Sequence, residues 1–513
     1  MSHSKPSYKF AYYCSGHGYG HATRVTAISH VLLSQNHTVH VISSAPKSVF
    51  TPIINFPSGR GSYRYAVLEP TVVQPKAYDV DRKATFLNLQ SFLAKDRSRI
   101  LEEESKWLVD SGIQCVLIDA SFLPCAAARK ADIPSVIISN FTFDSCYSYL
   151  SSSSVDHSDN SEDGDESPID SEALEPLVKV TISDYSQAEL LLRLPGAIPI
   201  PGFDTEVQLP ATRWVDQFTN SFIPEIHALL DRPAQKSVRK VIDMPLVVRP
   251  TSRGIYEPEK KLKLLRALKV PKNLENLETK ILLVSFGGQL IPRPKTSYGE
   301  NCQGQSLLPD GWIAIVCGLS VDYLTPGTYD RFYVSKEPEW DYVPDLSAIA
   351  DVILGKLGYG TCSESLATMT PFVHVPRPDF VEEYGLKRLM RGVTNLEMSR
   401  KDFEDGNWSE YIKWADSLGS RIKREFILKR KENISKSNEK IGKMNCEIYS
   451  SETGEDDCGK KCKIGLRKEG IKKIKGLRVD EKEDEDEGND DQASKVVVNH
   501  LEKFLFNRFS LKN

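Results

Sequence analysis

The stretch FAYYCSGHGYGHATRVTAISHVLLSQ, residues 10–35, joins a short apolar run to a helix-period run through a glycine loop. The apolar run has the length of a buried strand, and residues 22–35 repeat apolar side chains at helical spacing. A strand, a glycine loop and a helix in this order place backbone N–H groups and a positive helix terminus against an anionic or sugar ligand. His17, His21 and Arg24 stand in the same loop, so it also carries proton-transfer and charge-binding side chains.

Two familiar nucleotide-binding patterns do not fit this loop. A dinucleotide fingerprint needs a third glycine where this chain has His21, and an acidic residue after the second strand. The predicted second strand, Thr38–Ile42, runs into Ser43–Pro46 without an acid, which disfavours a nicotinamide cofactor. The ATP-binding pattern G-x-x-x-x-G-K-[ST] is absent from the sequence. The structural alternative is a tight turn that contains its histidines by chance.

Length and composition limit the remaining classes of function. The 513 residues are too many for one core and predict two domains with additional segments. A hydrophobic content of 40% and a net charge of −4 indicate no general attraction to nucleic acid. No apolar run approaches the ~18 residues of a membrane span, and residues 1–6 lack the apolar core of a signal peptide. The ten cysteines are expected to be reduced thiols, so we expect a cytoplasmic protein.

Apolar runs alternate with helix-period runs in both halves of the chain. This alternation predicts the α/β class, with parallel sheets covered by helices. The N-terminal domain is expected to span residues 8–240 and the C-terminal domain residues 241–420, each with glycine loops at the carboxyl ends of strands. Residues 151–171 are rich in Ser, Asp and Glu, which predicts a disordered acidic insertion.

The last ninety residues differ from the body in composition. A Lys- and Arg-rich block and then an acidic block predict a charged, disordered tail over residues 421–493. Neither aromatics nor a motif accompany the basic block, so no specific nucleic-acid partner is expected. Apolar residues follow helical spacing in residues 494–513, which predicts an amphipathic helix that packs back on the body. Cys458 and Cys462 have no histidine nearby and make a poor zinc signature, so no metal site is expected.

A second glycine loop, GKLGYGTCSE, occupies residues 355–364. Its glycines allow a close backbone approach, and the helix terminus that follows favours a diphosphate. Glu364, one turn into the helix, could accept hydrogen bonds from a ribose diol, while Thr361 could cap the helix. Thr361 and Glu364 also fit the pattern S/T-x-x-E, a capping box that merely starts a helix. Downstream, Asp379, Glu382 and Glu383 could hold sugar hydroxyls.

The motifs together resemble those of the GT-B glycosyltransferases related to the N-acetylglucosamine transferase of bacterial peptidoglycan synthesis. They resemble more closely the N-terminal, glycosyltransferase-like part of plant L-arabinokinase. The resemblance extends from about Phe10 to Tyr411. The motifs that carry it are GHGYGHATRV (16–25), LLRLPG (191–196), DMPLVVR (243–249), FGGQ (286–289), LPDGW (308–312) and GKLGYGT (355–361).

This resemblance implies a GT-B fold, in which two Rossmann-like domains face each other across a cleft. The donor, a nucleotide-diphosphate sugar and most simply a UDP-sugar, would lie on the C-terminal domain and an unknown acceptor on the N-terminal one. Carried over, Gly360 and Thr361 would meet the diphosphate, Glu364 the ribose, and His21, followed by His17, would be the candidate base. The other expected binding residues are Gly16, Gly18, Gly20, Arg24, Gly287, Gly288, Gln289, Lys356, Gly358, Glu382 and Glu383.

Such enzymes generally need no metal, and no cofactor is expected. Asp79-Val80-Asp81 resembles the metal-binding D-x-D motif of a different glycosyltransferase fold, but it stands in a loop before a predicted helix. Plant arabinokinase phosphorylates sugar through a separate domain with a G-L-x-S-S-A loop, and this sequence lacks that loop. We therefore expect no sugar kinase activity. The alternative to a glycosyltransferase is a non-catalytic module that senses a sugar or sugar nucleotide; the acceptor and the oligomeric state stay open.

Overall fold

The computed structural model describes residues 6–152, 168–216, 218–232, 240–287, 307–317, 331–334, 342–450 and 492–510. For Tyr19 and for residues 433–450 only the backbone is described. Most of the predicted acidic insertion and most of the predicted tail lie outside these ranges. The predicted binding residues Gly288 and Gln289 lie outside them too.

The N-terminal half is built on a parallel sheet. Its described strands are β1 (Lys9–Cys14), β2 (Thr38–Ser43), β3 (Gly61–Tyr65), β4 (Cys115–Asp119), β5 (Ser135–Ser139), β6 (Leu190–Arg193), β7 (Val215–Asp216), β8 (Ser221–Phe222) and β9 (Lys240–Asp243). The sheet order is β3-β2-β1-β4-β5-β6-β9, while β7 and β8 pair only with each other. Every pairing in the large sheet is parallel, with Phe10 opposite Val39 on one side and Cys115 on the other.

Helices cover both faces of this sheet, and its central strands are therefore buried on both sides. Along β1, Phe10 and Tyr12 point into the cluster that contains α1, whereas Ala11 and Tyr13 point into the cluster on the other face. The helices of this half are α1 (Tyr19–Ser34), α2 (Thr51–Ile54), α3 (Arg82–Ser91), α4 (Arg97–Asp110), α5 (Leu123–Lys130), α6 (Phe143–Ser148), α7 (Ser171–Tyr185) and α8 (Pro224–Asp231).

The C-terminal half repeats the same plan. Its sheet order is β12-β11-β10-β13-β14-β15, and all pairings are parallel. The strands are β10 (Lys280–Ser285), β11 (Trp312–Val316), β12 (Phe332–Tyr333), β13 (Val352–Gly355), β14 (Phe372–His374) and β15 (Asn395–Glu397). The helices are α9 (Pro258–Ala267), α10 (Val343–Ile349), α11 (Tyr359–Thr368), α12 (Glu382–Leu389), α13 (Arg400–Asp405), α14 (Trp408–Ser450) and α15 (Gln492–Ser510). The predicted α/β class with parallel sheets is confirmed.

Helix α14 corrects the predicted start of a disordered tail at residue 421. The helix continues through this position, and the side chain of Lys423 is buried. The Lys423 Nζ donates to Thr370 Oγ1 at 2.7 Å and to the carbonyl oxygens of Ser347, at 3.4 Å, and Ala350. A buried lysine that donates to buried oxygen atoms stabilises the packing of its helix. Composition alone does not reveal such contacts, so it misplaced the start of the tail within residues 421–432.

The edges of the predicted insertion 151–171 are ordered as well. Ser152 is buried, and residues 168–170 lead into α7, whose first turn is capped by the Asp170 side chain accepting from Glu172 N at 3.1 Å. The part of this prediction that falls on residues 153–167 lies outside the described residues. The described edges thus pack on the body or lead into α7, and disorder of the remaining insertion stays a prediction.

The C-terminal helix α15 packs on α1 of the first half. Val497, Leu501 and Leu505 are buried against it. The Phe509 ring stacks on Tyr8 with centroids 6.0 Å apart. The predicted C-terminal helix thus packs on the N-terminal half, beside the amino ends of β1 and β2.

Candidate functional site

Both large sheets reverse their strand order at one point, and these two points face each other. In the first sheet the reversal lies between β1 and β4, and in the second between β10 and β13. Open parallel sheets bind ligands outside the carboxyl ends of strands at such a reversal. The glycine loops after β1 and β13 both start there, so the sheet topology brings together the two loops that the sequence predicts.

The two loops touch because glycines leave room. A Cβ on Gly360 would lie 3.3 Å from the Gly20 Cα and 3.2 Å from Thr23 Oγ1, and a Cβ on Gly20 would lie 3.5 Å from the Gly360 nitrogen. Gly20 and Gly360 are the second residues of helices α1 and α11, and the N-cap residues Gly18 and Gly358 supply no side-chain cap. Two helix N-termini without a side-chain cap therefore converge, and both favour an anion.

A cleft of about 680 Å³ opens at this junction. Gly16 is not among its lining residues. A Cβ at Gly16 would meet Ser44 Oγ at 2.0 Å, so this glycine allows the loops after β1 and β2 to pack closely. Glu383 does not line the cleft either. The predicted residues that line it are His17, Gly18, Gly20, His21, Arg24, Gly287, Lys356, Gly358, Gly360, Thr361, Glu364 and Glu382.

A buried charge network lies on the N-terminal side of the cleft. His21 Nδ1 lies 3.1 Å from Asp119 Oδ2, and Arg24 Nε donates to Asp119 Oδ1 at 3.0 Å. Arg24 also donates to Asn140 Oδ1 at 2.6 Å and to Ser139 Oγ at 3.1 Å. Asp119 is fully buried, and burial would raise its pKa, but Arg24 and His21 lower the pKa below its usual value. The carboxylate is thus held ionised without contact with water.

Sequence reasoning missed Asp119 as a site residue. It is the last residue of β4, so an acidic residue that ends a buried strand at the reversal point was the available signal.

The imidazole of His21 has two competing partners. Its Nδ1 lies 3.1 Å from the Asp119 carboxylate and also 3.1 Å from Arg24 Nη2. With the proton on Nδ1, the ring donates to Asp119 and leaves Nε2 as a base. With the proton on Nε2, Nδ1 accepts from Arg24 and the ring has no basic nitrogen for a substrate. The tautomer therefore decides whether this network can take a proton.

His17 lies deeper in the same loop. Its ring stacks on Phe380 with an interplanar angle of 8° and contacts Phe143 edge-on. Burial, helped by the positive charge of Lys356, lowers the pKa of His17 to about 3. The His17 ring is therefore neutral near pH 7, and its buried Nε2 has no hydrogen-bond partner among the described residues.

Lys356 brings a buried amine to the C-terminal side. Its aliphatic chain lies beside Gly287, where a Cβ would be 3.9 Å from Lys356 Cε. Burial lowers the pKa of Lys356 well below its usual value, Arg377 adds to this, and Glu382 and Glu383 oppose it. Among the described residues no hydrogen bond or ion pair fixes its Nζ. An anion bound in the cleft would favour the charged form of this amine.

The structure rules out one alternative interpretation of the second glycine loop. Helix α11 starts at Tyr359, two residues before Thr361, so Thr361 lies inside the helix and does not cap it. Glu364 is not a capping residue either, because its Oε1 accepts from Arg249 Nη2 at 2.8 Å. Burial raises the pKa of Glu364, and the Arg249 charge opposes this rise. Arg249 lies in the connection between β9 and α9, and sequence reasoning did not assign it to the site.

The acidic residues after β14 are engaged in internal contacts. Glu382 Oε1 accepts from Asn140 Nδ2 at 3.0 Å, which links it to the Arg24 network. Glu383 Oε2 accepts from the Arg377 backbone nitrogen at 2.7 Å, and Asp379 pairs with Arg82. A sugar that used Glu382 would have to replace a contact between the two halves of the molecule.

The D-x-D segment is structural. Asp81 caps α3 by accepting from Ala84 N at 2.8 Å, and Asp79 pairs with Arg400 Nη1 at 2.9 Å. In the described part of the chain no group of three or more His, Cys, Asp or Glu is arranged to hold a metal ion. Within the same part, every helix is too short or too polar to cross a membrane.

Comparison with known proteins gives one curated relative in sequence and several similar structures. The chain is 32% identical over 420 residues to L-arabinokinase of Arabidopsis thaliana. This alignment covers 82% of this chain and 33% of that protein. This chain therefore spans about a third of the length of its curated relative. The relationship predicted from the motifs is confirmed. No protein-family model matches the chain.

Among solved structures, the calicheamicin glycosyltransferase CalG4 is 14% identical, covers 82% of this chain and 94% of its own, and has a TM-score of 0.44. Phytolacca americana UGT2, solved with UDP-2-fluoro-glucose and pterostilbene, is 13% identical over 82% of this chain and 96% of its own, with a TM-score of 0.40. In this chain, two parallel sheets face each other across the cleft, which is the arrangement predicted for the GT-B fold class.

Proposed function

We propose that this chain, a relative of the N-terminal part of an L-arabinokinase, binds a nucleotide-diphosphate sugar in the cleft and transfers the sugar to an acceptor. The observation that carries the proposal is the meeting of two uncapped helix N-termini and the buried amine of Lys356 at facing reversal points of two parallel sheets. Backbone N–H groups and a cation are the donors that a diphosphate requires.

The donor would lie on the C-terminal side. Its diphosphate would accept from the first N–H groups of α11 and from Lys356, and Glu364 would take the ribose hydroxyls. The same donors stabilise the negative charge that develops on the departing diphosphate. On the opposite side, His21 in the tautomer that donates to Asp119 would take the proton of an acceptor hydroxyl through Nε2. Phe141 and Phe143 flank this ring and limit its contact with water.

Thermal unfolding with a panel of UDP-, GDP- and dTDP-sugars tests the binding step. A ligand that binds only the folded state raises the midpoint, so one nucleotide series should raise it selectively. We expect Lys356→Met and Glu364→Ala to lose this rise. Lys423→Met is the matched control, since Lys423 is also a buried lysine but holds α14 to the C-terminal sheet outside the cleft. This variant should have a lower unfolding midpoint and should keep the rise with ligand. No rise with any nucleotide sugar would reject the proposal.

A non-catalytic sensor is the second candidate, and the position of Arg24 supports it. Arg24 shares the Asp119 carboxylate with His21 and can hold the His21 ring in the tautomer without a free base. Donor hydrolysis separates the two functions: a transferase releases the free nucleotide slowly from the donor, and His21→Ala abolishes the release. Donor binding without release of nucleotide, across a panel of acceptors, would support the sensor.

We also propose that the chain is not a sugar kinase. What supports this is that the sequence lacks both the ATP-binding pattern and the G-L-x-S-S-A loop. Incubation of the purified protein with labelled ATP and L-arabinose checks it, and we expect no labelled sugar phosphate. Phosphate transfer to the sugar would overturn the proposal.

A further inference from the structure

The segment between β9 and α9 places one arginine at the end of the cleft that holds Glu364, where the nucleoside of the proposed donor would lie. We propose that Arg249 is an internal stand-in for the nucleoside, which a nucleotide must displace to bind; this inference rests on the proposed function of the cleft. Arg249, Pro250, Tyr342 and Glu364 all line the cleft. The arginine comes from the segment that joins the two halves of the molecule, whereas the tyrosine and the glutamate belong to the C-terminal half.

Arg249 makes two contacts at the same time. Its Nη2 donates to Glu364 Oε1 at 2.8 Å, and its guanidinium carbon lies 5.2 Å from the centroid of the Tyr342 ring. The ring is held in place because the Tyr342 hydroxyl donates to the Pro250 carbonyl at 2.7 Å. The Glu364 side chain is 3% exposed and that of Arg249 is 22% exposed, so the arginine covers the carboxylate from the cleft side.

These two contacts are the ones that a nucleoside would use. A base needs an aromatic face, and a ribose needs an acceptor for its diol. A guanidinium is planar, stacks on aromatic rings and donates in a fork, so it satisfies the ring face and the carboxylate together. A nucleoside and the Arg249 side chain therefore cannot occupy this end at the same time. Since one side chain makes both contacts, displacement of Arg249 frees both at once.

The diphosphate end of the cleft is not covered in this way. The glycine loops and Lys356 face the cleft, and no hydrogen bond or ion pair fixes the Lys356 Nζ within the described residues. A pyrophosphate can therefore bind without moving Arg249, whereas a nucleoside cannot. A ligand that supplies both a nucleoside and a diphosphate gains enough contacts to displace the arginine, and free nucleosides are disfavoured. Arg249 thus determines which ligands the site accepts.

Titration calorimetry with UDP, uridine and pyrophosphate tests the proposal on the full chain. The apparent affinity of a site falls with the fraction of molecules that are competent to bind. We therefore expect Arg249→Ala to bind UDP and uridine about tenfold more tightly and pyrophosphate unchanged. Arg249→Gln, which keeps a hydrogen-bond donor but loses the charge, should lie between the wild type and Arg249→Ala and serves if the alanine variant does not fold.

The matched control is Arg64→Ala. Arg64 pairs with Glu104 and lies 4.1 Å above the Trp107 ring, so it makes the same two kinds of contact outside the cleft. Arg64→Ala should leave the binding of all three ligands unchanged.

Each outcome separates the inference from the function on which it rests. If the wild type binds UDP and Arg249→Ala binds it equally or more weakly, Arg249 is not a stand-in and the proposed function survives. Weaker pyrophosphate binding in Arg249→Ala would make the arginine a direct phosphate contact and would also overturn the inference. If neither the wild type nor either variant binds UDP or pyrophosphate, the proposed function fails and the inference fails with it.

Discussion

The two glycine loops occupy equivalent places at the reversal points of two parallel sheets, yet they differ in charge pairing. In the loop after β1, His21 and Arg24 are both paired with the buried Asp119. In the loop after β13, Lys356 is buried with no such fixed partner among the described residues, and Glu364 is paired with a residue from another segment. The same topology thus builds a paired charge network on one side, and on the other it leaves a buried amine without a fixed partner among the described residues.

The largest effect is expected from breaking the paired side of this comparison. Asp119→Ala leaves the Arg24 charge buried without its carboxylate, since Arg24 is 1% exposed. Removal of one partner of a buried ion pair costs about 3–5 kcal/mol. Urea unfolding should therefore show a loss of this size in the free energy of unfolding.

The control for this prediction is an exposed pair. Asp96→Ala removes the contact between Asp96 and Arg99, whose side chains are 45% and 57% exposed, and should cost at most ~1 kcal/mol. If Asp119→Ala costs no more than Asp96→Ala, the buried network does not stabilise the N-terminal side.

A smaller effect is expected from adding one methyl group to either loop. In Gly16→Ala the new Cβ overlaps Ser44 Oγ and crowds the backbone behind it, which should lower the free energy of unfolding by about 1–3 kcal/mol. In Gly360→Ala the new Cβ presses on Gly20 and Thr23 across the cleft at 3.2–3.3 Å, a contact that a small separation of the loops relieves. Gly360→Ala should therefore weaken nucleotide binding more than it weakens the fold.

Chemical unfolding and UDP titration of these two variants distinguish the roles of the glycines. We expect Gly16→Ala to be less stable but to bind UDP with unchanged affinity, because Gly16 does not line the cleft. Equal loss of UDP affinity in both variants would show that the two loops do not differ in this way.

The last comparison concerns the acid dependence of stability, which develops over several pH units. Burial lowers the pKa of His17 to about 3, whereas the unfolded chain titrates near the usual value of about 6.5. Between these values the unfolded state binds a proton that the folded state does not, so His17 contributes stability above about pH 6.5 that is lost as the pH falls toward 3.

His17→Gln checks this dependence because glutamine does not titrate. The slope of the unfolding free energy against pH, between pH 4 and pH 6, should fall by up to about 1.4 kcal/mol per pH unit. His30→Gln is the control, since His30 lines the same cleft but is exposed and packs edge-on against Phe56. An unchanged slope in His17→Gln would contradict the burial of a neutral His17.

Much of the fold was predictable because its signals are local. The apolar run that starts at Phe10, the alternation of apolar and helix-period runs in both halves, and the glycines after β1 and β13 indicated both sheets and both loops. Strand β3 was missed because its residues are only partly buried at the sheet edge, so no apolar run marks it. The tail was predicted to start at residue 421, inside α14, because Lys423 is charged in sequence but donates to buried oxygen atoms in the fold.

The site was predictable only in part because its pairings join distant residues. The sequence marks His21 and Arg24 by their glycine loop, but their partner Asp119 stands 95 residues beyond Arg24. Likewise Glu364 follows a glycine motif, whereas Arg249 precedes it by 115 residues in a segment without periodicity. The topology of the sheets brings these distant residues together at the strand ends. No local sequence pattern indicates which residues will meet.

The most direct test of the division between the two loops is titration calorimetry of UDP with Lys356→Met and His21→Ala. The account predicts that Lys356→Met binds UDP at least about tenfold more weakly, the size of one charge-assisted hydrogen bond. His21→Ala should bind UDP within about twofold of the wild type, because we propose His21 for proton transfer on the acceptor side and not for donor binding. Full UDP affinity in Lys356→Met, together with a loss in His21→Ala, would contradict the account.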